Sequence, residues 1–501
     1  MTTIDEHSNG EGAAVLQRLR ELPGGPELLD LAAQHGGSVE LVGGAVRDIL
    51  LGRAPRELDV VIEGDPLAFA QALSRRLADL DMGASTRVER VDVEGAPAEG
   101  VSAQGVDMDG ASAEGYAGGL HAGDPDVGSP EVRESHGASA EAEVPKPDCQ
   151  IIYHERFHTA VVRWSEGEID IAMRRHESYA EPGALPDVAQ GTQEQDLARR
   201  DFTVNAIAVT LAGERAGRLV AAARALEDLS ARRLRVLHDA SFIDDPTRIL
   251  RLVRYAVRLG FDVEPHTASL AASALEAGAL ATVSGPRLGA ELRLAFAEAD
   301  PVAALAELDR LGVFTAWEPG VSFDEHVVRT ALEILPEDGS PQLLLAGSLV
   351  LELCDRLDEE DTEPAMRGFL YDLELPARQG DRGFGVAVSA SFAIDHIDDV
   401  DTTEDLLELA DGTPVESLAL AAAVRDLEDG PRSYGRRLID EWLTQRRHIS
   451  LQVTGDDLIA AGVPEGPEVG VRLEESYKLL LEERIEPGRE TELRAALEVR
   501  I

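Results

Sequence analysis

The stretch LVGGAVRDILLGRAPRELDVVI, residues 41–62, places a glycine pair between an apolar run and a helical pattern. Residues 40–42 predict a short buried strand, and residues 58–62 predict a second strand. The glycines at 43–44 follow the first strand directly, and a helix pattern occupies residues 46–51. Such a turn lets backbone N–H groups approach an anion, and the helix N-terminus adds partial positive charge. The stretch therefore predicts an α/β unit whose turn can hold a phosphate, with a plain strand–helix turn as the alternative.

Two carboxylates lie on one face of the second predicted strand. Glu57 and Asp59 are two residues apart, and alternate side chains of a strand point to the same face. Mg²⁺ prefers hard oxygen ligands and often bridges them to phosphates. The pair beside the glycine turn therefore predicts a divalent-metal site; the alternative is an exposed acidic strand face.

The segment DDPTRILRLVRYAVRLGF, residues 244–261, predicts an amphipathic helix rich in arginine. Asp245 before Pro246 predicts an N-cap with proline at the first helical position. Arginines then recur every three or four residues, on one side of the helix and opposite an apolar face. They are Arg248, Arg251, Arg254 and Arg258. Because like charges on one face repel each other, we expect an anionic group to face them; a solvated surface is the alternative.

The glycine turn, the Val-Arg-Asp that follows it and the carboxylate-x-Asp strand resemble the head of nucleotidyltransferases with the polymerase-beta catalytic fold. The closer resemblance is to bacterial class II tRNA nucleotidyltransferases, the CCA-adding enzymes, and their poly(A) polymerase relatives. YAEPGALPDV (179–188) and DLARRDFTVNAIA (196–208) are similar to two further blocks of the family. SGPRLGAEL (284–292) and ALAELDRLGVF (304–314) resemble its neck, and VTGDDLIAAGVPEGPEVG (453–470) resembles its tRNA-contacting tail.

The resemblance implies a role for each residue that matches a family motif. Glu57 and Asp59 would hold Mg²⁺; the family usually has Asp-x-Asp, but glutamate keeps the charge and the ligand type. Asp170, in GEIDIAM (167–173), would be a third carboxylate serving as metal ligand or proton acceptor, with a structural role as the alternative. The implied nucleotide-binding residues are Gly44 and Arg47 at the triphosphate, Arg200 with Asp201 and Asn205 at the incoming nucleotide, and Arg251 in support.

Asp245 and Arg248 match the family's template motif, a carboxylate followed three residues later by an arginine. Cytosine presents an amino donor beside a ring-nitrogen acceptor, and adenine presents the same pattern. A carboxylate that accepts from the amino group and a guanidinium that donates to the ring nitrogen fit both bases. Guanine and uracil present the reverse pattern and would leave both side chains unpaired, which is costly. The pair would therefore select CTP and ATP.

The implied function is Mg²⁺-dependent addition of CCA to tRNA 3′ ends from CTP and ATP. In the implied two-metal transfer, the RNA 3′-hydroxyl attacks the α-phosphate and pyrophosphate leaves. The shared motifs also allow a poly(A) polymerase or an enzyme that adds only A or only CC, and the C-terminal GDDL…GP block favours a tRNA substrate. An alternative of another class is a catalytically silent RNA-binding protein, suggested by Glu57 in place of aspartate. The template pair and Arg200 argue against it.

The order of the patterns predicts an α+β protein. We expect a polymerase-beta-like nucleotidyltransferase head with a small mixed sheet, followed by an all-α neck, body and tail. The body lacks the complete His-Asp pair that phosphohydrolase domains of some relatives carry, so we expect no such activity. The expected boundaries are a helical leader at 1–37, the head at 38–215, the neck at 216–320, the body at 321–450 and the tail at 451–501.

Within the head, residues 66–80 predict an amphipathic helix, and residues 158–163 and 169–173 predict two strands. The buried run at 203–211 is predicted to be helical. Residues 83–148 carry 14 acidic and 4 basic side chains and almost no large apolar residue. Such a stretch buries too little apolar surface to offset the entropy of ordering, so we expect a disordered acidic insertion.

The chain has 501 residues with 47 basic and 94 acidic side chains, a formal net charge of −47. This excludes a basic protein that coats nucleic acid through bulk charge. Residues 151–260 carry 16 basic and 16 acidic side chains, so the anion-binding site is expected in this neutral block. Two cysteines allow no disulfide framework, and no apolar run reaches the roughly 18 residues of a membrane helix. We expect a cytoplasmic protein with no membrane partner.

Overall fold

A mixed sheet with helices forms the N-terminal part of the molecule, and the remainder is helical. The α+β class predicted from the sequence is therefore confirmed. A computed structural model describes residues 4–7, 9–78, 86–91, 149–375, 379–429 and 434–499.

One large sheet is the framework of the head. The strands of the described residues are β1 (Ile4–His7), β2 (Val39–Val42), β3 (Leu58–Ile62), β4 (Thr86–Val91), β5 (Cys149–His154), β6 (Thr159–Trp164), β7 (Gly167–Met173), β8 (Arg175–Ser178), β9 (Asp187–Gln190), β10 (Ile207–Thr210), β11 (Leu219–Ala222), β12 (Arg233–Leu234) and β13 (Asp262–Val263). The nine-stranded sheet has the order β1-β11-β10-β2-β3-β7-β6-β5-β4, and β8-β9 and β12-β13 form two small pairs. β3 and β7, which carry the predicted carboxylates, are therefore adjacent.

Helices cover both faces of this sheet. Those up to residue 230 are α1 (Asn9–Leu19), α2 (Gly25–Gln34), α3 (Gly43–Leu50), α4 (Pro66–Ala78), α5 (Gln193–Ala198) and α6 (Ala225–Ser230). Leu58, Val60 and Ile62 of β3 point into the main core, whereas Val61 joins a smaller cluster on the opposite face. Asp59 shares that opposite face because side chains alternate along a strand.

The large sheet extends past the expected head boundary at residue 215, because β11 (Leu219–Ala222) belongs to it. After residue 240 the chain is built mainly from helices joined by short turns. They are α7 (Ser241–Asp244), α8 (Thr247–Leu259), α9 (Pro265–Glu276), α10 (Gly285–Phe296), α11 (Pro301–Arg310), α12 (Val313–Trp317), α13 (Glu325–Ile334), α14 (Pro341–Val350), α15 (Thr362–Asp372), α16 (Gln379–His396), α17 (Thr403–Ala410), α18 (Val415–Asp429), α19 (Tyr434–Thr444), α20 (Gly455–Ala460), α21 (Pro467–Leu481) and α22 (Arg489–Glu498). Short 3₁₀ helices occupy Thr203–Asn205, Gly213–Arg215, Ala279–Thr282, Leu351–Arg356, Ile397–Asp399 and Arg446–His448. The main core is continuous from head to body, while α20–α22 enclose a small cluster of their own.

Three local predictions differ from the structure. The run at 203–211 forms a 3₁₀ turn and then β10, not a helix. All four residues of β10 are buried, and a short run buried on both faces shows no periodicity that separates strand from helix. The leader is not wholly helical, because β1 pairs with β11 at the sheet edge. Within the expected insertion, β4 pairs with β5; residues 92–148 lie outside the described residues.

The described helices include none that is both long and apolar enough to cross a bilayer. Both cysteines are unpaired and buried, Cys149 in β5 and Cys354 in a 3₁₀ helix. Their burial raises the pKa of each thiol, so neither is a reactive thiolate near neutral pH.

Gly289 allows α10 to pack closely against α15, and we expect Gly289→Ala to lower the urea midpoint. A Cβ at this position would lie 1.8 Å from the backbone oxygen of Asp372, and overpacking of this kind costs roughly 1–3 kcal/mol. Gly368→Ala, within α15, is the matched control because no atom lies within 4 Å of its Cβ position. That variant should be neutral or stabilised by up to about 1 kcal/mol. Equal effects of the two substitutions would contradict the close approach at Gly289.

Candidate active site

Two neighbouring parallel strands bring the predicted carboxylates together. β3 and β7 pair so that Asp59 lies directly opposite Asp170, and both point away from the main core. Glu57 precedes β3, and Glu168 lies two residues before Asp170, so the strands carry Glu-x-Asp patterns side by side. One oxygen from each of Glu57, Glu168 and Asp170 lies within 4.8 Å of the other two. Glu168 was not predicted, although the repeated pattern is a signal that could have revealed it.

Burial and mutual repulsion raise the pKa values of Asp59 and Asp170. Burial raises the pKa of Asp59 from 3.8 to about 7, with the negative charge of Glu57 acting in the same direction. The charges of Arg200 and Arg47 oppose this rise without cancelling it. The pKa of Asp170 is also raised, first by burial and then by Asp59 and Glu57. A bound divalent cation would favour the ionised forms.

The glycine turn lets a basic side chain and a carboxylate approach the start of α3. The helix begins at Gly43, three residues before the predicted pattern. Gly43 has a φ of 67°, and a Cβ there would lie 2.8 Å from Arg200 Nη1 and 3.5 Å from Asp59 Oδ2. A larger residue would be strained in this conformation and would displace Arg200. The turn therefore holds the helix N-terminus, Arg200 and Asp59 close together.

A buried aspartate orients two consecutive arginines. Asp196 Oδ1 accepts from Arg199 Nη2 at 2.9 Å, and Oδ2 accepts from Arg200 Nη2 at 3.2 Å. Glu177 Oε1 accepts from Arg199 Nη1 at 3.1 Å. Although burial alone would raise the pKa of Asp196, the charges of Arg199 and Arg200 hold it below its ordinary value. Asp196 is therefore ionised, and it fixes the direction in which Arg200 points.

The other predicted nucleotide-binding residues form one hydrogen-bonded chain. Asp201 Oδ2 accepts from Arg251 Nη2 at 2.7 Å, and Asp201 Oδ1 accepts from Asn205 Nδ2 at 2.9 Å. Arg47 Nη1 in turn donates to Asn205 Oδ1 at 2.6 Å. Burial would raise the pKa of Asp201, but the charge of Arg251 and the hydrogen bonds of Asn205 and Arg251 lower it. The chain links the head to α8 of the neck.

Arg248 and Arg254 of α8 are buried, and Arg251 and Arg258 are partly buried. Arg254 Nη1 donates to Glu291 Oε2 at 2.5 Å, and Arg258 Nε donates to Glu298 Oε2 at 2.9 Å. Carboxylates of the chain itself are therefore the anionic groups that face this helix. The guanidinium carbons 5.4–5.9 Å from the Tyr255 ring centroid are those of Arg47, Arg251, Arg254 and Arg258. This aromatic ring separates like charges and attracts each of them.

Asp245 stabilises the start of α8, but the predicted N-cap is wrong by one residue. The helix starts at Thr247 with Pro246 as the cap residue. Asp245 Oδ1 accepts from the Thr247 backbone N–H at 3.2 Å and from Thr247 Oγ1 at 2.7 Å. It also accepts from Arg287 Nη2 at 3.1 Å. Asp245 therefore joins α8 to α10.

Arg248 lies beneath the head. Its side chain is 2% exposed; Nη1 donates to Ser241 Oγ at 2.9 Å and Nη2 donates to the Arg199 backbone oxygen at 2.8 Å. Its Nε lies 4.0 Å from Asp245 Oδ2. The two residues of the predicted template pair are therefore close together, and the Arg248 guanidinium is covered by the head.

One cavity collects most of the predicted residues. Among the described residues, Asp245 and Arg248 do not line this cavity. At 100° per helical residue, Arg248 lies about 60–120° around α8 from the other three arginines of that helix, so its side chain points beside the cavity and not into it. The lining contains eight arginines and five carboxylates, so its charge is opposite in sign to that of the whole chain and attracts anions. The predicted residues in the lining are Gly44, Arg47, Glu57, Asp59, Asp170, Arg200, Asp201, Asn205 and Arg251.

The carboxylates fit a divalent cation. Asp170 Oδ1 and Glu168 Oε1 are buried and accept no hydrogen bond from the described residues. Buried acceptors without a partner are costly, and hard oxygen ligands are the donor set that Mg²⁺ prefers. The residues present therefore suit the metal that the sequence implied.

Comparisons with known proteins support the same family. Residues 39–97 and 138–235 match the model of the poly A polymerase head domain. The chain is 28% identical over 444 residues to the A-adding tRNA nucleotidyltransferase of Geobacter sulfurreducens, covering 86% of this chain and 41% of that protein. It is 29% identical over 460 residues to the A-adding tRNA nucleotidyltransferase of Halalkalibacterium halodurans, covering 88% and 84%. The chain thus spans about two fifths of the Geobacter relative and most of the Halalkalibacterium one.

The fold is also that of a solved relative. The Thermotoga maritima CCA-adding enzyme complexed with tRNA superposes with a TM-score of 0.65 over 99% of both chains, at 21% identity. The resemblance inferred from the motifs, to tRNA nucleotidyltransferases and poly(A) polymerases, is therefore confirmed.

In metal-free buffer we expect the urea midpoint to fall as the pH rises from about 5 to about 8. The pKa of Asp59 is about 7 in the folded protein and 3.8 as an ordinary aspartate. The folded protein therefore holds a proton that the unfolded chain has lost, and its stability falls as that proton leaves. Mg²⁺ should raise the midpoint more at pH 8 than at pH 5, because it competes with the proton. Asp59→Asn should flatten this pH dependence; an unchanged slope would assign it to other groups.

Proposed function

We propose that this chain, a relative of tRNA nucleotidyltransferases in sequence and in fold, adds nucleotides from CTP and ATP to the 3′ end of tRNA and so completes CCA. The observation that carries the proposal is the single cavity in which paired carboxylates, a glycine turn and a shell of arginines converge. Carboxylates suit metal-assisted phosphoryl chemistry, and the arginines suit a triphosphate. A net positive lining within an acidic chain is expected of a site that takes an anionic substrate.

Different side chains would bind the triphosphate and orient the residues that bind it. Arg200 lies at the glycine turn, where its guanidinium and the first N–H groups of α3 would bind the triphosphate together. Asp196 keeps Arg200 in that position. Arg47 is 3% exposed and donates to Asp48 and Asn205, so it acts mainly by orienting the turn.

Glu57 and Asp59, with Asp170 opposite, would hold Mg²⁺ next to this phosphate site. Bound Mg²⁺ would lower the pKa of the RNA 3′-hydroxyl and offset charge on the α-phosphate during in-line attack. The carboxylates would supply the ligand oxygens, and the raised pKa values of Asp59 and Asp170 would couple binding of the cation to loss of protons.

Asp245 and Arg248 would read the base. Arg248 Nη2 donates to the carbonyl oxygen of Arg199, and the ring nitrogen of cytosine or adenine is an acceptor that can take its place. Asp245 Oδ2 lies near the same guanidinium and would accept from the exocyclic amino group. Because Arg248 is covered in this structure, a base reaches it only when the Arg199 contact gives way.

A second candidate function is addition of the terminal A alone. Both curated relatives described above are named A-adding enzymes. The Asp245–Arg248 chemistry is the same for adenine and cytosine, so it does not favour either activity. The tRNA end that the protein extends is the property that separates them.

We expect purified protein with Mg²⁺ to extend a tRNA transcript that ends before CCA by CC when given CTP alone, and by CCA when given CTP and ATP. Sequencing of the 3′ ends gives the result. Transcripts ending in C and in CC are the matched substrates: an A-only enzyme extends only the latter. A CC-only enzyme stops after CC, and a poly(A) polymerase makes longer A tails. Asp59→Ala should extend none of them, and retained extension by this variant would refute the metal assignment.

Asp245→Ala should lose nucleotide choice more than rate. Removal of one buried hydrogen-bonding partner of the base should reduce discrimination between CTP and UTP roughly 10- to 100-fold, measured as the ratio of kcat/KM values. Thr247→Val is the control, because it removes a donor to Asp245 and leaves the carboxylate in place. If Thr247→Val loses discrimination to the same extent, Asp245 acts as a helix cap and does not read the base.

A further inference from the structure

β7 repeats the acidic pattern of β3. Glu168-Ile169-Asp170 lies beside Glu57-Leu58-Asp59, and the parallel register pairs Leu58 with Ile169 and Asp59 with Asp170. The glutamates therefore occupy equivalent places at one end of the two strands. The family resemblance accounts for three of these carboxylates and leaves Glu168 without a role.

The carboxylates divide into two groups by position. One oxygen of Glu168 lies within 4.8 Å of oxygens from both Glu57 and Asp170. Asp59, by contrast, faces the glycine turn, where its Oδ2 would be 3.5 Å from a Cβ at Gly43. A cation among Glu57, Glu168 and Asp170 would thus be bound mainly by the end of the cluster farther from the turn.

Only one of the two carboxylate oxygens of Glu168 has a hydrogen-bond partner among the described residues. Its Oε2 accepts from Arg163 Nε on the neighbouring strand β6. Its Oε1 is buried and has no hydrogen-bond partner among the described residues, and the same holds for Asp170 Oδ1. Arg163 therefore fixes the carboxylate while leaving one oxygen in the cluster. Three carboxylates with two unpartnered oxygens form a donor set for a hard divalent cation.

We propose that Glu168 is a further metal ligand, which with Glu57 and Asp170 binds a divalent cation before nucleotide or RNA arrives. The inference rests on the proposed metal-dependent transfer and extends its ligand set. The extra methylene of Glu57 relative to aspartate lets that side chain reach toward β7, so Glu168 also accounts for glutamate at position 57. The competing role for Glu168 is a structural ion pair with Arg163 alone.

The test is Mn²⁺ binding by the full-length, metal-stripped protein without nucleotide or RNA, measured by electron paramagnetic resonance of the free ion. We expect Glu168→Gln to weaken Mn²⁺ binding about tenfold or more, the scale on which metal sites respond to lost coordination partners. Glu166→Gln is the matched control, since Glu166 is exposed in the turn before β7 and loses the same charge. It should bind Mn²⁺ as the parent does.

A second readout separates the ligand role from the ion pair. In EDTA, Glu168→Gln should melt at the same temperature as the parent or higher, because one of three repelling charges is gone. Its gain in melting temperature on adding Mn²⁺ should be smaller than that of the parent. A lower melting temperature in EDTA together with unchanged Mn²⁺ binding would show that Glu168 serves only Arg163, and would overturn the proposal.

Two further outcomes keep the test decisive. If Glu168→Gln does not fold, Glu168→Asp retains the charge but shortens the side chain; weaker Mn²⁺ binding supports the proposal and unchanged binding contradicts it. Failure of the parent protein to bind Mn²⁺ without nucleotide also overturns it. If the parent does not extend tRNA but Glu168→Gln still loses Mn²⁺, the proposed function fails and the ligand assignment stands.

Discussion

The side-by-side carboxylates of β3 and β7 are the constraint on which the rest of the head depends. Oxygens of Glu57, Glu168 and Asp170 lie within 4.8 Å of one another, and two unit charges at that limit repel each other by roughly 3–4 kcal/mol at an effective dielectric constant of about 20. The strands tolerate this repulsion because their alternate residues are anchored in the main core. Those anchors are Leu58, Val60, Ile62, Ile169 and Ile171. A rigid apolar face thus holds an unfavourable polar face in position, which prepares it for a cation.

The arginines near these carboxylates would neutralise them directly if they were free to move. Three arginines of the cavity lining are instead tied to other carboxylates, whereas Arg163 pairs with Glu168 itself. Arg200 pairs with Asp196, Arg251 with Asp201, and Arg258 with Glu298. These partners hold the guanidiniums in fixed orientations, so that the strand carboxylates stay available to bind a metal. The cavity therefore keeps positive and negative groups side by side, as a metal-bound triphosphate requires.

Residues that act within one strand or turn could be predicted from the sequence more readily than contacts between separate elements. Glu57 and Asp59, with the glycine turn before them, were predictable because strand alternation and glycine conformation are local rules. Glu291 was not predicted, because its pairing with Arg254 depends on how α8 packs against α10. Asp196 was also not predicted, although it lies only four residues before Arg200 and this spacing is a local signal that could have revealed the pair. β10 was predicted as a helix because a strand buried on both faces has no alternation. The cover over Arg248 depends on how the head packs on the neck, which no local pattern contains.

The net charge of −47 for the whole chain does not describe the charge around the candidate site. Eight arginines line one cavity, and several are neutralised from behind by buried carboxylates. The cavity lining has more arginines than carboxylates, the reverse of the balance in the whole chain. Long-range steering of RNA to an acidic surface is weak or repulsive at low salt, and ions screen it within about 10 Å at 0.1 M. For the proposed tRNA substrate, recognition of the 3′ end would then come from contacts inside the cavity, where burial makes charges interact more strongly than they do in water.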